Sequence, residues 1–503
     1  MTSTATSSIQ SDTHPINRLP PETLGEIFGC VIASGHCSID SDFRSFSYVT
    51  WYNFTFVSRY WRSVALSTPH LWSTLLFLNR KVISVMLERS QTADLSIHVG
   101  AYYPYLTVIP LIKEVIDNQS SRITEMSLEI SGMAFSSLVE KLKQQPRSLR
   151  LRELRLILTT GRYQTFPNAI LVPDSLQILN SSGFDFAWEP SQSFPCLTYL
   201  AIGATNVGVS ISELIAALRG MPALEYMYMH DSLPSEPPVS LVQPVRIPRL
   251  RRLDIGSTKD SSQISNFLAL IIVPATTNIL ITCFSCFGRS SVAEARFLAF
   301  TTSLHSFVRG MHSEDDNIFY RSLCACPIGQ GNTLQILATM ANPPLGLANF
   351  QLRIETRYAR DETLQKILPA FQRDKIESLR LEIGIRSEIL LELSDTLPLL
   401  EHVVLKRDSM PNFIAVMMIE DHTSFPFQNI RHLTLYRAKF SQGINHDGLE
   451  VHELQQCLAA RSKHDARLIQ LDIIGCDGIY WQDIRRLQGV VDVTWDAHQS
   501  PYI

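Results

Sequence analysis

Nine cysteines are among the side chains of this 503-residue chain best able to hold a metal or act as nucleophiles, and four of them fall in two close pairs, Cys283-x-x-Cys286 and Cys324-x-Cys326. Structural zinc prefers thiolate pairs separated by two to four residues and backed by further ligands. Only the first pair has that spacing, and an unoxidised cysteine is equally at home as a small buried hydrophobe. His452-Glu453 opens a metalloprotease-like string, but Gln456 stands where the second histidine is required, so the motif fails. The sequence holds no phosphate-cradling G-x-x-x-x-G-K-[ST], no G-x-S-x-G nucleophile turn and no strand-linked G-x-G-x-x-G. A hydrolase on an α/β scaffold would need such a motif. The expectation is therefore no catalytic residue, no cofactor and no metal.

The remaining chemistry is recognition. One phrase recurs, with aliphatics at its first, fourth and sixth positions: Leu151–Leu156, Leu197–Ile202, Leu224–Met229, Leu250–Ile255, Ile376–Leu381, Leu400–Leu405, Ile430–Leu435 and Leu468–Ile473. Polar and aromatic residues interleave, as Glu153/Arg155, Tyr199/Ala201, Tyr226/Tyr228 and Arg252/Asp254 do. Alternation of this kind means strands with one buried face and one wet face, where a sandwiched parallel sheet would show continuous apolar runs. Tyr199, Tyr226, Tyr228 and Arg252 fall on the wet face of consecutive copies. Their types are those enriched at binding hot spots, and they are the expected target-binding residues.

The elements that must position them follow from spacing. Start-to-start steps of 27, 26 and 24 residues fit the 20–29 residue period of leucine-rich repeats, although other steps, such as the 38 residues from Ile430 to Leu468, are longer. Helices separate the strands. Ser210 and Glu213 form a capping box, Ile211, Leu214, Ile215 and Leu218 make the buried stripe, and Gly220 with Pro222 ends the helix. Thr363–Phe371 and Glu450–Ala460 read as equivalent helices. Residues 283–350, with an acidic turn at Glu314–Asp316, carry no clear copy and are assigned weakly, as degenerate repeats or a long loop.

Ahead of the repeats, residues 1–14 read as a disordered leader of Ser and Thr. In Ile16–Ile32, Pro20 and Pro21 open a helix whose Leu24, Ile27, Phe28 and Val31 share an apolar face. A second apolar block runs from Tyr48 to Leu66, and Pro69 breaks it before Leu71 and Trp72. Residues 15–77 balance four acidic groups (Glu22, Glu26, Asp40, Asp42) against four basic ones (Arg18, Arg44, Arg59, Arg62), which suits a hydrophobic protein interface.

"INRLPPETLGEIF" followed by "VSRYWRSVALSTPHLWSTL" resembles the F-box of many fungal proteins, over Ile16 to about Phe77. The Leu-Pro-x-Glu start, the Val-Ser-Arg-x-Trp-Arg core and the Pro-x-Leu-Trp end arrive in order. The resemblance implies three packed helices that dock the Skp adaptor of a Skp–cullin–F-box ubiquitin ligase. It carries Leu19, Pro20, Leu24, Ile27 and Phe28 over as first-helix contacts, Val57 and Trp61 as the second signature, and Leu71 and Trp72 as structural closure. Gly35–Ser47 departs from the family's compact form and reads as an insertion beside the docking surface.

The expected fold class is thus an α/β repeat protein: a small three-helix F-box over 15–77, then an irregular leucine-rich-repeat solenoid, an open horseshoe, over 78–503. The expected function is substrate recognition for the ligase, binding a Skp-type adaptor and an unknown protein target. The alternative is an interaction protein whose F-box-like helices only cap the solenoid. A net charge of −4 argues against non-specific nucleic-acid binding. The longest apolar runs, Phe267–Val273 and Ile414–Ile419, are far shorter than the roughly 18–20 residues that span a bilayer. An odd number of scattered cysteines and no visible signal peptide suit reduced thiols in the cytoplasm or nucleus.

Overall fold

The computed structural model describes residues 15–36, 53–100, 105–144, 149–160, 163–166, 174–186, 188, 193–205, 210–236, 242–258, 261–287, 291–312, 319–328, 333–340, 350–356, 360–371, 373–419, 425–441, 449–464 and 466–496. The leader 1–14, the expected insertion beyond His36 and the acidic turn Glu314–Asp316 lie outside them. The chain is an α/β protein with a mostly parallel β-sheet, and it divides into two compact units, Met1–Ala187 and Trp188–Ile503. Among the described residues no helix is long and apolar enough to cross a membrane.

The first unit opens with helices α1 (Pro21–His36), α2 (Phe54–Val57) and α3 (Arg59–Ser67). Pro21 takes the first helical position, where its missing N–H costs nothing. Ser58 separates α2 from α3 and caps the latter, its hydroxyl accepting the Trp61 N–H at 3.1 Å. Pro69 starts a 3-10 turn ending at Trp72, whose indole N–H donates to the Ala65 carbonyl at 2.8 Å. The chain then enters a parallel ladder, each strand paired with the next: β1 (Thr74–Leu75), β2 (Leu95–Val99), β3 (Ile123–Ile130), β4 (Glu153–Leu158) and β5 (Ile178–Ser182). Thus the F-box-like stretch and these strands belong to one compact unit, and the division falls near residue 187.

In the second unit the strands are β6 (Tyr199–Gly203), β7 (Tyr226–His230), β8 (Arg252–Ser257), β9 (Asn278–Phe287), β10 (Tyr320–Ile328), β11 (Thr333–Met340), β12 (Phe350–Thr356), β13 (Ser378–Leu381), β14 (His402–Lys406), β15 (His432–Tyr436), β16 (Gln470–Ile474) and β17 (Asp492–Trp495). Their lateral order is β6-β7-β8-β9-β12-β11-β10-β13-β14-β15-β16-β17. Every neighbour is parallel except β11, which runs against both β10 and β12. Residues 283–350 therefore hold a helix, Ser291–His312, and inserted strands. Only residues 329–332 join β10 to β11, far fewer than the dozen a parallel crossover requires, so that pair must be antiparallel.

The recurring phrase is the core. In all eight copies the aliphatics at positions one, four and six are no more than 3% exposed. Burial of a Leu or Ile side chain contributes about 1.5–3 kcal/mol, so these positions form the main hydrophobic investment of the sheet. The helix Ile211–Arg219 has the expected capping box: the Glu213 N–H donates to Ser210 Oγ at 3.2 Å, and the Ser210 N–H to Glu213 Oε2 at 3.1 Å. Gly220 ends it. The helix expected over Thr363–Phe371 runs Arg360–Ile367 with a 3-10 turn to Ala370, and that over Glu450–Ala460 runs Val451–Ser462.

Candidate protein-interaction surfaces

In the first unit, α1 to α3 sort the apolar side chains into two sets. Leu24 and Phe28 are buried, with Phe28 stacked on Phe54 at 4.3 Å between ring centroids and tilted against the half-buried Trp61 at 5.1 Å. These residues hold the helices together. Leu19 is half-buried, and its carbonyl accepts the Tyr60 hydroxyl at 2.6 Å, fastening the entry segment to α3. The outward set comprises Pro20 with Ile27, Val31, Phe56 and Val57, the last four 38%, 52%, 74% and 60% exposed. Ile27 and Val57 belong to the residues expected to contact an adaptor, whereas nothing in the sequence marks Phe56. It neighbours Val57, and no periodic signal separates the two.

In the second unit, register fixes the wet face. Tyr199 lies opposite Tyr226, and Tyr226 opposite Arg252; one step along, Ala201, Tyr228 and Asp254 align, then Gly203, His230 and Gly256. The structure thus brings the four expected target-binding residues into one patch. The Tyr199 and Tyr226 rings are 6.1 Å apart, while Tyr226 and Tyr228 are exposed. His230 completes it: its ring stacks on Tyr228 at 4.3 Å, and Nε2 meets Asp254 Oδ1 at 2.7 Å. Arg252 approaches the other carboxylate oxygen at 3.6 Å. The alternation Tyr226, Tyr228, His230 could have flagged the histidine, but nothing local announces its partner 24 residues away.

This arrangement explains why Asp254, on the wet face, is nonetheless buried. Covered by His230 and Arg252, it keeps its charge partnered, as a buried carboxylate must. Burial, then the Asp254 carboxylate, pushes the Tyr228 phenol above its ordinary range, so its hydroxyl stays a donor. Gly256 is needed here for space. A Cβ on it would stand 2.7 Å from the His230 ring.

Further along the same face, Glu382 accepts from Arg380 Nε at 2.7 Å and Lys406 Nζ at 2.8 Å. The Arg380 and Arg437 guanidiniums lie 5.4 and 5.2 Å from the Tyr436 ring centroid. His402 and His432 stack across neighbouring strands at 4.5 Å. Aromatic planes and cations in alternation suit contact with a polypeptide. A cleft of about 720 Å³ beside Glu382 is lined by charges that already pair, Arg386 meeting Asp361 at 2.7 Å and Glu362 at 3.1 Å.

Cys283 does not converge with Cys324 and Cys326. Cys283 is buried with the aliphatics of β9, whereas Cys324 and Cys326 alternate with buried Leu323 and Ala325 and so point to the opposite face of the sheet. The Cys286 side chain lies outside the described residues. Among the described residues no group of three or more His, Cys, Asp or Glu is placed to hold a metal. No protein-family model matches the chain, and no curated protein matches it.

Proposed function

We propose that this chain is the substrate-recognition subunit of a Skp–cullin–F-box ubiquitin ligase. Its N-terminal helices dock a Skp-type adaptor, and the wet face of the Trp188–Ile503 sheet holds a protein target. The observation that carries the reading is the exposed apolar set Ile27, Val31, Phe56 and Val57 on a helical module whose sequence resembles an F-box. Four large apolar side chains stand exposed on this small helical module, and exposed apolar patches mark contact sites. The finer fold belongs to the same proposal: α1 to α3 are the F-box, and the parallel ladder is an irregular leucine-rich-repeat solenoid. The repeat steps and the uniform burial of positions one, four and six support it. No residue of the chain forms a covalent bond in this scheme; it supplies proximity between a target lysine and a ubiquitin-loaded enzyme carried by its partners. Such a subunit works in the cytoplasm or nucleus.

One observation favours a second reading. β1 begins two residues after Trp72 and pairs directly with β2, so the helices lead straight into the ladder and could serve only as its cap. Capture of purified Skp-type adaptor by the full chain separates the two. Stable capture supports the ligase subunit; no capture supports the cap.

A further inference from the structure

Tyr199, Tyr226 and Tyr228 hold three corners of a small rectangle on the wet face of β6 and β7. Neighbouring strands stand about 4.8 Å apart and alternate residues about 6.6 Å, so Tyr199 and Tyr228 are about 8 Å apart on its diagonal. Ala201 takes the fourth corner, where its methyl stands lower than the rings around it. The rings are already held in place. Tyr199 and Tyr226 tilt against each other at 6.1 Å, and Tyr228 rests on the His230 imidazole at 4.3 Å. A ligand laid on them therefore has little side-chain freedom to remove.

The polar groups of the patch are one-sided. Among the described residues, none of the three phenol hydroxyls has a hydrogen-bond partner in the protein, so each can donate outward. Arg252 adds a guanidinium whose ion pair on this face is the 3.6 Å contact with Asp254. The carboxylates nearby are engaged. Asp254 meets His230 and Arg252, Asp231 accepts the Thr258 N–H at 2.7 Å and its hydroxyl at 3.0 Å, and Glu225 meets Arg251 at 3.4 Å. Aromatic planes and donors are what the patch offers a ligand.

A matching ligand is apolar, rich in acceptors and poor in donors. A proline-rich segment meets all three conditions, since proline has no N–H and the polyproline II helix leaves its carbonyls without internal hydrogen bonds. Its prolines at i and i+3 recur on one side every 9.3 Å or so, about the Tyr199–Tyr228 diagonal. A cationic segment would find no open carboxylate here. A nucleic acid would find one permanent cation, Arg252, on β6 to β8 to neutralise its phosphates. We propose that the Tyr199–Tyr226–Tyr228 patch binds a proline-rich segment of the target in the polyproline II conformation. Two prolines three residues apart rest against Tyr199 and Tyr228, the segment crosses between Tyr226 and the low Ala201 corner, and the phenols and Arg252 donate to its carbonyls. Aromatic-lined surfaces recognise such preformed segments at low ordering cost. The proposal rests on the reading of the wet face as the surface that holds a target, and it names the chemistry of that target.

The test titrates the full-length chain into a fluorescein-labelled decaproline peptide, followed by fluorescence polarisation. Wild type should bind it saturably, and more tightly than a Gly-Ser peptide, an oligolysine or an oligothymidylate of the same length. Tyr226→Ala should weaken decaproline binding by more than about tenfold, as loss of a hot-spot ring does. Tyr228→Phe keeps the ring and its stacking on His230 and removes only the donor, so it should weaken binding severalfold at an unchanged melting temperature. Ile27→Asp/Val57→Asp, on the adaptor surface, should bind decaproline as wild type does. No binding by wild type, equal binding by Tyr226→Ala, or a preference for oligolysine or the oligothymidylate overturns the proposal. A captured target that Tyr226→Ala loses, in a chain that does not bind decaproline, overturns the proline class and leaves the wet face as the target surface.

Discussion

Nε2 of His230 lies 2.7 Å from Oδ1 of Asp254, joining adjacent parallel strands on their wet face, with Tyr228 stacked on the imidazole. The contact ties the tyrosine patch to a buried charge, and Gly256 makes room for it. Gly256→Ala should therefore push the ring off its carboxylate, at a cost of about 1–3 kcal/mol from overpacking. Denaturant titration with NMR of the His230 imidazole checks this. Unchanged stability and unchanged imidazole signals would show that the ring does not rest on the glycine.

The two faces of the repeat strands should respond differently to substitution. Leu200→Asp or Leu253→Asp buries an unpaired charge and should cost several kcal/mol. Tyr226→Ala should cost under about 1 kcal/mol, since its ring is already exposed. Chemical denaturation of the three variants distinguishes them, and equal losses would contradict the assignment of faces.

Arg461 should be among the least replaceable residues of the second unit. Fully buried, it donates to the carbonyls of Pro426 at 2.9 Å, Phe427 at 2.7 Å and, more weakly, Met417 at 3.4 Å. Arg461→Met removes all three side-chain bonds, leaving the Phe427 carbonyl only the Ile430 N–H at 3.2 Å, and each acceptor left unsatisfied should cost about 1–3 kcal/mol. Arg461→Lys should rescue little, because an ammonium lacks the planar fork. A melting temperature for either variant within a degree of wild type would show that the loop 425–430 does not depend on it.

Binding of a protein target should centre on the tyrosines. Tyr226→Ala or Tyr228→Ala should each lose about 2 kcal/mol or more of affinity, as hot-spot residues do. Affinity purification with the full chain supplies the target and calorimetry the values. Wild-type affinity in both variants would place recognition elsewhere.

Much of the sheet was legible because one physical rule repeats in it: aliphatics two residues apart must share a buried face, and the phrase states this eight times. The Ser210–Glu213 box was legible because its partners are three residues apart. The insertion β10–β11–β12 was not, since its strands lack the phrase and their order depends on pairing between distant segments. His230–Asp254 was hidden for the same reason. At the N-terminus, the apolar positions Leu24, Ile27 and Phe28 look alike in sequence. Phe28 packs against Phe54 and Trp61 and Leu24 is buried, while Ile27 stays exposed.

The adaptor interface decides the account. Calorimetric titration of the full chain with a purified Skp-type adaptor should give a one-to-one complex. An Ile27→Asp/Val57→Asp variant, altered only at exposed positions, should melt as wild type does yet lose binding by at least about 100-fold, the equivalent of two hot-spot contacts. No complex with wild type, or undiminished binding by the variant, would contradict the proposal that these helices dock a ligase.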